Sequence, residues 1–234
     1  MATCTYSCRS DDNPQEKITK LRAVGVSSTP AVASSGSAAT SAELTFYAAV
    51  PLGKTVGYEA FIDPQAKYSL AELVVPIAAS ETYKDYLGFR LYSLKATLLV
   101  PALTSLRLQE GQSQRLRYGV RFFSEDEEEK VVGDVLVFPQ EAEQTKWVAP
   151  SLEIAAPIDS VPHDSDSDLK ATLTKSQNEK VKIGWFVSGG TVKNRRAVET
   201  QWSAPGPGNH TVIVTAHGSE SRSFAISVKD VTVK

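Results

Sequence analysis

The segment His163-Asp164-Ser165-Asp166-Ser167-Asp168 alternates carboxylates with hydroxyls. Hard oxygen donors at that spacing suit a calcium ion, so Asp164, Asp166 and Asp168 are candidate ligands. The segment has neither the glycine nor the closing glutamate of an EF-hand loop, and a solvated loop between strands accounts for the same residues. Three histidines are present, His163, His210 and His217. His210 and His217 lie seven residues apart on one alternating segment, which places them on opposite faces of a strand and keeps them from converging on one metal. Both cysteines, Cys4 and Cys8, stand in the first eight residues. No second Cys/His pair follows at ligand spacing, so a zinc site is not expected. The chain carries no G-x-S-x-G, no H-E-x-x-H, no phosphate-binding loop and no dinucleotide fingerprint. The expectation is therefore a protein that is not an enzyme and has no cofactor, calcium being the one candidate ion.

Two further groups could contact a partner. Tyr83 and Tyr86 belong to an aromatic-rich stretch, and exposed tyrosines are favoured at interfaces. Tyrosines also cap sandwich cores with their hydroxyls wet, which is the competing explanation. Lys193-Asn194-Arg195-Arg196 is a basic turn, so Lys193, Arg195 and Arg196 are candidate contacts in a chain with little other basic clustering. A solvated hairpin tip explains that turn as well.

These groups have to be held by something, and the apolar pattern says by strands. Val181, Ile183, Trp185 and Val187 alternate up to the Gly189-Gly190 turn. Val198, Thr200 and Trp202 lead into an Ala204-Pro205-Gly206-Pro207-Gly208 corner, then His210, Val212, Val214 and Ala216 share one face, and Phe224, Ile226 and Val228 another. Period-two alternation bounded by Gly/Pro turns marks half-buried antiparallel strands. The same pattern runs through Leu44 to Val50, Tyr92 to Val100, and a hairpin from Leu116 to Phe122 returning through Val131, Val135 and Val137. At the tip of that hairpin lies the run Glu125–Glu129, with Arg115, Arg117, Arg121 and Lys130 positioned for cross-strand pairing.

The Trp185 strand, the Pro-Gly corner and the alternating strand after it resemble the C-terminal half of an immunoglobulin-like or PKD-like sandwich of bacterial surface proteins. The resemblance covers about the last eighty residues and implies that Trp185 packs in the core. The expected fold class is all-β: two tandem Ig-like antiparallel β-sandwiches after a flexible N-terminal tether. The boundaries read as a tether over 1–17, a first sandwich over 18–140 with an irregular insertion at 51–92, a linker over 141–150 holding Trp147, and an Ig-like/PKD-like sandwich over 151–234.

The opening MATCTYSCRSDDNPQEK, a cysteine followed by a polar stretch and then folded modules, resembles a mature bacterial lipoprotein. That resemblance implies lipidation at Cys4. A local Cys4–Cys8 disulfide and two free thiols in a loose terminus remain as alternatives.

Composition narrows the partners. With 25 basic and 27 acidic residues the formal net charge is −2, so nucleic-acid binding gets no electrostatic support. No run of about 18 apolar residues occurs, so a membrane enters only through a lipid anchor. The leading functional expectation is a periplasmic or cell-surface lipoprotein whose modules serve adhesion, assembly or binding of a protein or glycan. Two alternatives stand beside it: accessory binding domains of a secreted carbohydrate-active or proteolytic enzyme, and a polymerising structural subunit of a pilus, sheath or phage-like assembly.

Overall fold

A computed structural model describes residues 18, 20–30, 32–34, 40–61, 81–86, 88–102, 109, 112–125, 127–139, 150–156, 159–176, 179–219 and 223–234. The expected tether with Cys4 and Cys8, and Trp147 with most of its linker, lie outside the described residues.

Among the described residues every regular element is a β-strand, and the strands form four four-stranded sheets. The first pair is β1(Arg22–Thr29)-β3(Thr40–Pro51)-β6(Phe89–Val100)-β5(Glu81–Asp85) and β2(Val32–Ser34)-β8(Glu127–Phe138)-β7(Gln114–Ser124)-β4(Gly57–Phe61). The second pair is β13(Thr191–Val192)-β14(Glu199–Ser203)-β11(Asp166–Thr174)-β9(Ser151–Ala156) and β10(Ser160–Val161)-β16(Phe224–Val233)-β15(Gly208–Gly218)-β12(Val181–Val187). Adding eight to each strand number of the first pair reproduces the second. In both, the second strand leaves the first sheet and pairs in parallel with the last strand, while the other pairings are antiparallel. This is the immunoglobulin arrangement, a sheet of strands A-B-E-D facing one of A′-G-F-C, occurring twice in one chain. The repeat is in topology and not in sequence.

Alternation delivers each core. Leu44, Phe46, Ala48 and Val50 of β3 meet Leu116, Tyr118, Val120 and Phe122 of β7 in the first sandwich. Trp185, Val187, Trp202, Val212 and Val214 anchor the second. The stretch 51–92, read as irregular from sequence, carries β4 and β5. The acidic run is also arranged otherwise than its composition suggests. Glu125 takes a left-handed φ of 52°, and Glu127 to Glu129 already belong to β8. Glu127 turns back, its Oε2 accepting the Leu21 backbone N–H at 2.7 Å. Of the pairings expected near the tip, Arg121 and Lys130 both pair with Glu128, and Arg121 also reaches Glu59 across the sheet.

The Tyr118 hydroxyl is buried in the first core with no hydrogen-bond partner among the described residues, and burial pushes its pKa up to about 12. An orphaned buried hydroxyl forfeits the hydrogen bond it made in water. Tyr118→Phe is therefore expected to leave stability unchanged or raise it by up to about 1 kcal/mol. A denaturant midpoint measured on both proteins checks this, and a clear loss would mean that the hydroxyl has a partner.

A third apolar cluster belongs to neither sandwich interior. Ala49, Phe89 and Leu91, on the outward face of the β1-β3-β6-β5 sheet, pack with Ile213 and Phe224 of the β10-β16-β15-β12 sheet. The sandwiches thus lie face against face along a seam, giving four stacked sheets. Phe224 is 5% exposed, and its ring sits 2.3 Å from where a Cβ on Gly25 would stand. Glycine is needed at that point of β1 because the neighbouring sandwich occupies the side-chain space. At another point of the seam, Gly88 meets Ser188 with a prospective Cβ separation of 2.6 Å. Phe224, Ile226 and Val228 share a face, as alternation requires, but that face turns to the seam and not to the second core.

Candidate functional site

Strand β5 is an edge strand, and its pairing with β6 sets Tyr83 opposite Tyr92 and Asp85 opposite Arg90. Register therefore brings an aromatic, a cation and an anion to one border. Arg90 forms a two-pronged ion pair with Asp85, Nε to Oδ1 at 2.5 Å and Nη2 to Oδ2 at 2.8 Å. The planar guanidinium suits this geometry, which fixes its plane as well as its position. The same guanidinium lies over the Tyr83 ring, 4.2 Å from its centre, and the Tyr83 and Tyr92 rings are 5.8 Å apart. The hydrogen bond from Arg90 holds the Asp85 carboxyl below the usual carboxylate range, while the bond to Asp85 holds Arg90 above its ordinary value. Tyr83 is 59% exposed, so the group presents one flat aromatic face, backed by a positioned cation, to solvent.

Tyr86 does not join that face. Its ring stacks on Phe89 at 5.3 Å and packs against the seam, with the Lys84 ammonium 4.8 Å from the ring centre. The two tyrosines read together from sequence are thus divided between a surface and an interface.

The basic turn is also divided. Lys193 Nζ pairs with Asp166 at 2.7 Å and donates to Gln201 Oε1 at 2.8 Å. Arg195 contributes its backbone carbonyl, which accepts the Trp185 N–H at 3.1 Å, and the Arg196 N–H donates to Asn194 Oδ1 at 3.2 Å. The Ala197 carbonyl accepts the Trp185 indole N–H at 2.8 Å. Residues 193–198 therefore form a cover over Trp185 along the open border of β12, satisfying backbone groups that an edge strand would otherwise expose.

The candidate calcium ligands are not brought together. Asp166 accepts from Lys193 and from Ser203 Oγ at 2.6 Å, and these bonds hold its carboxyl below the usual range. Asp164, in a left-handed turn with φ 49°, has its carboxylate 3.0 Å from His163 Nδ1, and Asp168 is exposed on β11 opposite Gln201. Among the described residues no three His, Cys, Asp or Glu side chains gather as a ligand set. His210 packs edge-on to Trp202 with ring centres 6.2 Å apart, its Nε2 3.4 Å from the Gly206 carbonyl.

Sequence reasoning did not single out Arg90 or the seam. For Arg90 no local signal exists, because its partners meet it through β5–β6 register. For the seam there is one: Val212-Ile213-Val214 is continuously apolar, the mark of a strand buried on both faces.

No family model and no curated protein matches the chain. Among solved structures it is similar to the fibronectin(III)-like modules of Clostridium thermocellum CbhA, at 15% identity and a TM-score of 0.34, covering 89% of this chain and 94% of that one. It is also similar to a chimeric titin Z1Z2-Z1Z2 tandem, at 14% identity and a TM-score of 0.30 over 87% and 94% of the two chains. A third, the full ectodomain of mouse nectin-like molecule 4, shares 10% identity at a TM-score of 0.26 over 93% and 64%.

Proposed function

We propose that this chain is a non-enzymatic binding protein of the bacterial cell envelope, tethered through a lipid on Cys4, whose paired sandwiches hold a protein or glycan partner. The observation that carries the reading is the Tyr83–Arg90–Asp85 group. An aromatic ring left 59% exposed, with a guanidinium fixed over it by a bidentate carboxylate, costs ordering entropy and contributes little to the core. Tyr and Arg are the side chains that most often dominate binding energy at protein interfaces, and a flat ring suits a sugar face as well. The polar sequence after Cys4 supports a tether of the kind that a lipoprotein needs.

The test has two parts. Wild-type protein and the Tyr83→Ala and Arg90→Ala variants are compared for binding to purified envelope glycans and to proteins solubilised from the host envelope. Each substitution is expected to weaken the wild-type interaction roughly tenfold or more, the loss typical of an interface hot spot. Unchanged binding by both variants would remove this border from the site. Intact-mass analysis of protein from the host membrane fraction tests the anchor separately: a diacylglyceryl adduct on Cys4 supports it, and an unmodified, soluble chain contradicts it.

A further inference from the structure

His217, on β15, faces the seam between the sandwiches and not the second core. Its ring stands edge-on to Phe224, with centres 4.7 Å apart and planes at 61°. Phe224 in turn fills the space above Gly25 of β1 and lies 5.7 Å from the Tyr47 ring of β3. The groups against His217 can be taken element by element. Strand β12 presents Lys182, its register partner, and β16 presents Phe224. Across the seam, Gly25 of β1 and the Tyr47 ring of β3 meet Phe224, the residue beside His217. Lys182 is the charged group that acts on His217 among the described residues, and its charge has the same sign as a protonated imidazole.

We infer that the seam is a pH-sensitive joint, closed while His217 is neutral and parted when it takes up a proton. A protonated His217 would be a half-buried imidazolium on the seam face, beside the exposed Lys182 ammonium, and a partly desolvated charge next to a like charge is relieved by moving into water. Parting the sandwiches exposes the ring without disturbing either core. Burial, reinforced by Lys182, lowers the His217 pKa from 6.5 to about 4 in the closed protein. The closed state therefore has its full stability above the ordinary histidine range. As pH falls below that range the open state binds a proton that the closed state does not, and the closed-to-open ratio drops by up to about tenfold per pH unit until the closed state's own pKa is reached.

Small-angle scattering of the full chain between about pH 7.5 and 4.5, followed together with the near-ultraviolet circular dichroism of its tryptophans, tests the joint. The wild-type radius of gyration is expected to rise as pH falls while the tryptophan signal persists. His217→Phe, which cannot ionise, should stay compact across the range, and His217→Gln gives the same reading should the larger ring disturb packing. Lys182→Glu, which supplies a counter-charge, should move the wild-type expansion to lower pH. Overturning results are a wild-type radius that does not change, an equal expansion in both His217 variants, or loss of the tryptophan signal together with the expansion.

Discussion

Phe224→Ala is expected to uncouple the two sandwiches and lower the stability of the whole chain by about 3–5 kcal/mol, the usual loss for emptying a buried phenylalanine site. The ring is 5% exposed and is held on three sides: by His217 on the neighbouring strand, by Tyr47 across the seam, and by the space above Gly25. Alanine leaves a hole between two sheets that cannot collapse without shifting, so the cavity term adds to the lost burial. Urea unfolding followed by tryptophan fluorescence measures the change. The reverse substitution offers an independent check. Gly25→Val would place side-chain atoms where the Phe224 ring now lies, and should part the same seam by overfilling it. Full wild-type stability in both variants would mean that the seam does not hold the modules together.

Trp185→Ala should cost a similar amount, about 3–5 kcal/mol, but should act on one sandwich and its surface cover. Trp185 is 1% exposed in the second core, so most of the loss is burial. Part of it is also a latch: the indole N–H donates to the Ala197 carbonyl at 2.8 Å and thereby holds the 193–198 segment over the border of β12. Trp185→Phe keeps much of the apolar contact and removes the donor, so it should cost less than alanine while still loosening that segment. Amide exchange reports the difference. The Trp185 backbone amide, bonded to the Arg195 carbonyl, should exchange faster in both variants, whereas amides of the β3–β6 ladder should not change. Uniform acceleration throughout the chain would contradict a local latch.

Alternating strands were the legible part of this sequence, because one buried face and one wet face leave a period of two. Leu44 to Val50, Leu116 to Phe122 and Val181 to Val187 all follow that rule, and all lie in strands that line a core. Strand β5 was not legible. Its sequence, ETYKD, belongs to a sheet edge where Tyr83, Lys84 and Asp85 remain exposed, so no apolar period survives. The seam was half legible. Phe224, Ile226 and Val228 share a face in sequence, but nothing local says whether that face meets its own core or a neighbour. Ile213, between two core valines, was the clue that both faces of β15 are covered.

The site residues divide along the same line. Residue type gave Tyr83 and Tyr86 as one pair, while tertiary register separated them, putting one ring beside Arg90 and the other on Phe89. Lys193 and Asp166 were read as parts of two different sites, a basic contact and a calcium loop. They are 27 residues apart and form one ion pair, through pairings of β11 and β13 with β14 that no spacing rule anticipates. The seam also bears on the proposed binding role, because it fixes the Tyr83 border relative to the second sandwich. A partner that touches both modules then meets a pre-arranged surface and bears less of the ordering cost on binding.

Proton–proton nuclear Overhauser contacts measured on the full chain at neutral pH test the face-to-face packing most directly. Cross-peaks are expected from the Phe224 ring to the Gly25 α-protons and to the Tyr47 ring. Their absence, in a sample where the Trp202–His210 contact within the second sandwich is seen, would show that the two modules do not pack across this seam.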